Sequence, residues 1–153
     1  MRRDESYYGE EEILRKDLID LLKKFVTIRS AASSSPLEEN AYIELLYAIE
    51  FYGKYAEESN LDWKLLDLVK CLESLGNMKN ILNGESNRCQ SAGKINYALR
   101  IRNNEEKSLI EKAYKLRSNR AAHSPTGVSI DRNVLIYLQR LSRKIINDSL
   151  SLT

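Results

Sequence analysis

Apolar residues in the first part of the chain recur at steps of three and four. Leu14, Leu18, Leu21, Leu22, Phe25 and Ile28 draw one stripe, which predicts an amphipathic helix over about residues 10–30. The Ala- and Ser-rich stretch 31–35 breaks it. A second stripe of Ala41, Leu45, Ala48, Ile49, Tyr52 and Tyr55 predicts a helix from Pro36 to about Glu58. Its start is well marked. Ser35 suits the cap, Pro36 the first helical position, and Glu38 lies three residues after the cap.

Asn60 is positioned to cap a third helix that carries Trp63, Leu65, Leu66, Val69 and Leu72, with Gly76 expected to stop it. Trp63 reads as a packing residue. Residues 77–93 hold Gly84, Ser86, Asn87, Ser91 and Gly93 and read as a short helical turn followed by a loop. In 94–102, Ile95, Tyr97, Leu99 and Ile101 alternate like a strand, while Ile95, Ala98 and Leu99 fit one helix face. A strand there would have no partner in the rest of the pattern, so helix is preferred.

Asn103 then caps a helix with Glu105 and Glu106 in its first turn, where the macrodipole favours acids. Leu109, Ile110, Ala113, Tyr114 and Leu116 carry it to His123, and Ser124-Pro125-Thr126-Gly127 ends it. A last helix from about Asp131 bears Leu135, Leu138, Leu141, Ile145 and Ile146. The pattern is all-α. It implies a compact helical bundle of about five helices, one domain over 1–153 with 1–9 and 151–153 as frayed tails.

Composition narrows the class. At 153 residues, 42% hydrophobic and 30% charged, the chain can bury a core and is too apolar for disorder. No run approaches the roughly 18–20 apolar residues of a membrane span, so no membrane partner is expected. The N-terminal charges have no apolar segment behind them and do not read as a signal peptide. Cys71 and Cys89 form no CxxC pair, and one histidine is too few for a zinc site. They read as ordinary thiols, with no metal, no cofactor and a cytoplasmic setting as the expectation.

Charge is unevenly spread. Between Lys94 and Lys144 stand twelve Lys and Arg against four acids, although the net charge is only +2. That basic half suits an anionic partner such as RNA, or simply a solvated helical surface.

Arg117-Ser118-Asn119-Arg120-Ala121-Ala122-His123 is the one segment with evident chemistry. His123 is the sole histidine and can move a proton near neutral pH; arginine can hold a phosphate through its fork of donors. Asn119 shares the His123 face four residues earlier. Cations in a last helical turn are also favoured by the dipole alone. Glu50 reads as a surface glutamate, with pairing to Arg117 across the bundle as the other option. Most of the nine tyrosines, including Tyr42, Tyr47, Tyr52, Tyr55 and Tyr114, fall within helical patterns and read as core or interface.

The segment 113–124 resembles the signature of HEPN domains, and most nearly the Apea-like group: an aromatic residue, Leu-Arg-Ser, small residues and His. The general motif is Arg, four to six residues, His, and here five lie between Arg117 and His123. Residues 40–50 resemble the family helix that ends in an aliphatic-Glu pair, here Ile49-Glu50, and the last helix is similar in its Leu- and Arg-rich face. The resemblance spans about residues 37–150. It implies a helical bundle, commonly dimeric, and for many members a metal-independent endoribonuclease of defence or toxin–antitoxin systems. It makes Arg117 and His123 the catalytic pair, with the two protomers sharing a cleft. Ser118 stands where Asn, Asp or His often follows the arginine and Asn119 comes one place later, so Ser118, Asn119 and Arg120 are the substrate-contact candidates. The resemblance equally allows a non-catalytic module that binds RNA, a nucleotide or a protein partner such as a cognate antitoxin.

Overall fold

The computed structural model describes residues 16, 18–27, 36–122 and 131–151, apart from the side chains of 36–38, 119–122 and 151. Six helices are present among them: α1 (18–27), α2 (Pro36–Glu57), α3 (Leu61–Leu82), α4 (Ala92–Ala98), α5 (Asn104–Ala122) and α6 (Arg132–Ser151). No strand occurs among the described residues, so the ambiguous stretch 94–102 resolves as helix and turn. The bundle has one helix more than the five expected. The Ser35 cap, the outer turns of the first helix and the tails, save Ser151 at the end of α6, lie outside the described residues.

The apolar stripes do what their spacing predicts. Ala41, Leu45, Ala48, Ile49, Tyr52 and Tyr55 of α2 are all buried, as are Leu65, Leu68, Val69, Leu72 and Leu75 of α3. Each fully buried leucine contributes about 1.5–3 kcal/mol over the exposed side chain. Leu21 and Phe25 of α1, Ile110, Ala113 and Leu116 of α5, and Leu138 and Ile146 of α6 join the same core. Trp63 departs from expectation: it is 57% exposed, because it sits three residues past the Asn60 cap on the outer face of α3. Tyr47 is likewise exposed, whereas Tyr52 and Tyr55 are core residues.

Capping matches the sequence pattern. Asn60 Oδ1 accepts from the amides of Asp62 and Trp63 at 2.9 and 3.2 Å, and Asn103 Oδ1 from Glu105 and Glu106 at 2.8 and 3.2 Å. Asp131 caps α6, its Oδ1 accepting from Asn133 N at 2.9 Å. The buried Lys64 donates to the Tyr55 carbonyl at 2.8 Å and lies 4.5 Å over the Tyr55 ring, tying the end of α2 to the first turn of α3. One polar contact anchors α6 from inside: Gln139 Nε2 donates to Tyr52 Oη of α2 at 2.8 Å. Within α6 the buried Ser142 hydroxyl folds back onto the Leu138 carbonyl at 2.7 Å.

Gly76 does not stop α3. The helix continues to Leu82 and ends at Asn83 and Gly84, whose φ of +75° supplies the left-handed residue of the exit. Gly76 serves close packing instead: a Cβ built there would stand 2.6 Å from Cys89 Sγ. Two asparagines of α3 hold the following segment down. Asn77 Oδ1 accepts from the Cys89 amide at 2.7 Å, and Asn80 Nδ2 donates to the Asn87 carbonyl at 2.9 Å. The strap 85–91 is thereby laced onto α3, and Ser91 caps α4.

α4 leaves through a turn in which Ile101 N reaches back to Asn96 O at 2.9 Å and Arg100 N to Tyr97 O at 3.1 Å. Arg100 itself has φ +56°, the position where such turns usually carry glycine, at a cost of about 1–2 kcal/mol for a side-chain-bearing residue. Among the described residues no helix is long and apolar enough to cross a membrane.

The packing at Gly76 is directly testable. Gly76→Ala is expected to lower unfolding free energy by about 1–3 kcal/mol through overpacking. In a Cys89→Ala background most of that loss should vanish, as read by urea denaturation.

Candidate functional site

Arg117 and Ser118 are the two candidate site residues whose side chains the structure describes. Asn119 and Arg120 contribute backbone to the last turns of α5, with side chains outside the described set, and His123 lies outside the described residues altogether. Ser118 is exposed. Arg117 is not: its side chain is 31% exposed and its Nη1 donates to Glu73 Oε1 at 3.3 Å, the glutamate being 17% exposed. The guanidinium also lies 5.7 Å from the Tyr114 ring centroid, one turn earlier on α5.

This arrangement follows from the helix registers. Ile110, Ala113 and Leu116 turn α5 toward the core, so Arg117 stands at the edge of the buried face. Glu73 borders the buried row of α3 in the same way, beside Val69 and Leu72. The two edges meet. Glu50, the other option for pairing, is exposed on α2. Glu73 was the functional neighbour the pattern concealed, since nothing in one helix tells which helix lies beside it.

Around the pair the chemistry is that of a held cation. Burial, with the Glu73 carboxylate beside it, keeps the Tyr114 hydroxyl protonated well above the ordinary tyrosine range, against the opposing pull of Arg117. Burial and then Glu73 also push the Cys89 thiol upward. Cys71, wholly buried, is pushed up to about 12. Neither free cysteine has the exposure or the acidity of a nucleophile. Among the described residues the Arg117 bond to Glu73 runs through Nη1, and Nη2 and Nε have no partner there. An anion can therefore be received without breaking the ion pair.

The segment that carries His123 is bounded at both ends by defined structure. α5 delivers the chain to Ala122, and Lys112 Nζ holds Asp131 Oδ2 at 2.7 Å at the start of α6. The Lys112 bond, followed by the Asn133 amide, holds the Asp131 carboxyl below its ordinary range. Among the described residues no group of three or more His, Cys, Asp or Glu is placed to hold a metal ion.

A second pairing was also hidden from the sequence. Glu44, buried on α2, takes Arg88 of the strap at 3.3 Å through Oε1, joining that helix to the segment packed on α3.

Comparison of the chain with protein-family models, curated proteins and solved structures finds no match.

Two outcomes check this description. Glu73→Ala is expected to cost about 1 kcal/mol in thermal or chemical unfolding, since a half-buried charge pair contributes more than a fully exposed one. In native protein at pH 8, iodoacetamide should label neither Cys71 nor Cys89, and both should react on denaturation, as read by intact mass.

Proposed function

We propose that the chain is a metal-independent endoribonuclease that works as a homodimer, with Arg117 and His123 as its catalytic pair. The observation that supports this best is Arg117. It is held by Glu73 near the end of α5, six positions before the chain's one histidine. The basic character of residues 94–144 suits a polyanionic substrate.

The chemistry would use the substrate's own 2′-OH as nucleophile, which restricts it to RNA. His123 of one protomer takes the 2′ proton, and His123 of the second protonates the departing 5′ oxygen. Arg117 offsets the charge that grows on the non-bridging phosphate oxygens, with Arg120 as a second cation and Ser118 and Asn119 as hydrogen-bonding contacts. Two-fold symmetry answers a shortage: one histidine per chain cannot easily serve as both acid and base at a single phosphate.

The Glu73 carboxylate also supports a second reading. It neutralises part of the Arg117 charge, which suits a module that binds RNA, a nucleotide or a partner protein such as a cognate antitoxin without cutting.

Cleavage of a fluorescent single-stranded RNA in the presence of EDTA separates the two. His123→Ala and Arg117→Ala are each expected to slow cleavage by about 10²–10⁴-fold with the dimer intact. Undiminished cleavage by the purified His123→Ala protein would overturn the enzymatic reading. RNA binding with no cleavage, lost equally in both variants, would establish the second.

A further inference from the structure

The turn from α4 into α5 combines three features that its own fold does not require. Arg100 occupies a left-handed position, φ +56°, where glycine would be unstrained. Tyr97, one turn earlier, is 72% exposed. Asn96, 93% buried by its residual exposure of 7%, has an Oδ1 with no hydrogen-bond partner among the described residues. All three line one open cleft of about 580 Å³.

A second cleft of about 440 Å³ lies on the other side of the same turn, and Arg100 and Arg102 line both. In the first cleft Arg100, Arg102 and Lys107 outnumber Glu85 and Glu111. The second adds Lys79, Arg140 and Lys144 against Glu106 and Asp148. Both are positively charged. Tyr137, whose buried hydroxyl also has no partner among the described residues, lines the second.

We propose that this turn is a docking site for single-stranded RNA, with Arg100 and its neighbouring cations on successive phosphates and one base stacked on Tyr97. Backbone charge read by arginine and a base face read by an exposed aromatic ring are the two recognition elements of sequence-tolerant single-strand binding. Each cleft has the volume for one or two nucleotides. A strained arginine at the ridge between them presents its charge to both, which a glycine at that position does not.

The site lies at the opposite end of α5 from Arg117. Lys107, Glu111, Lys115 and Ser118 recur at steps of three and four, so the α5 wall of the first cleft continues along one face to the exposed Ser118. The eleven steps from Lys107 to Ser118 span about 16 Å of helix. A strand a few nucleotides long can run from the turn to the helix end. The choice of RNA over DNA rests on the ribonuclease reading; the site itself does not.

Binding of a fluorescein-labelled twelve-nucleotide oligouridylate, followed by anisotropy in the His123→Ala background, tests the proposal. Arg100→Gly is expected to weaken binding five- to tenfold and to flatten the log K against log salt slope by about 0.7, one single-strand phosphate contact. It should leave the melting temperature unchanged or higher, since glycine relieves the strain. Tyr97→Ala, on the surface, should weaken binding by a similar factor without altering the salt slope.

Wild-type affinity and slope in both variants would overturn the site. So would uridine monophosphate binding as tightly as the oligomer, which would assign the clefts to a free nucleotide. Loss of binding in Arg100→Gly, alongside full cleavage by an otherwise wild-type His123→Ala protein, would keep the docking site and remove the catalytic assignment.

Discussion

Burial of α3 on several sides at once is the constraint from which the remaining geometry follows. α2, α4, α5 and α6 all pack against this one helix. A helix so enclosed cannot be amphipathic in the simple sense, and its surface must be tailored neighbour by neighbour. Toward the 85–91 strap it offers a glycine and two asparagines. Toward α5 it offers Glu73. Polar residues on α3 thus act as local adhesives for segments too short to hold themselves, and the 85–91 strap is the clearest beneficiary.

Much of this was legible from the chain alone, and the failures have physical causes. Period located α2, α5 and α6, and the Asn103 cap marked the start of α5, because both signals are local. Gly76 reads as the end of the third helix because glycine carries two meanings. It ends helices when it supplies a left-handed residue, as Gly84 does, and it permits close approach when a neighbour needs the space, as at Gly76. Only the position of Cys89 decides between them. The alternation of Ile95, Tyr97, Leu99 and Ile101 mimicked a strand because a short helix and its exit turn bury Ile95 and Ile101 and expose Tyr97. Trp63 reads as a packing residue but stands exposed, because size is a poor guide to burial at the first turn of a helix.

The helix end at Arg117 was visible as a motif, but its electrostatic setting was not. Glu73 lies 44 residues away, and its meeting with Arg117 depends on how α3 and α5 are rotated about their axes. That pairing changes what the arginine is. An exposed cation on a long stem searches many rotamers before it meets a ligand, whereas one gripped by a carboxylate and set against a tyrosine ring has already lost that freedom. The same contact lowers the local positive charge. Orientation and field strength are therefore traded against each other at this position, and the proposed activity turns on which dominates.

The hydrogen bond from Gln139 to Tyr52 has a further consequence. It joins α6 to α2 between two buried groups, and the Gln139 amide loses this partner if α6 slides by a turn or rotates by one residue. Leucine and isoleucine contacts tolerate such slippage, since one methyl group serves nearly as well as the next. The amide and the phenol do not, so the contact confers uniqueness on the helix register more than it adds strength. Alternative packings of α6 are removed from competition, and the entry of the chain into α6 at Asp131 inherits that single setting.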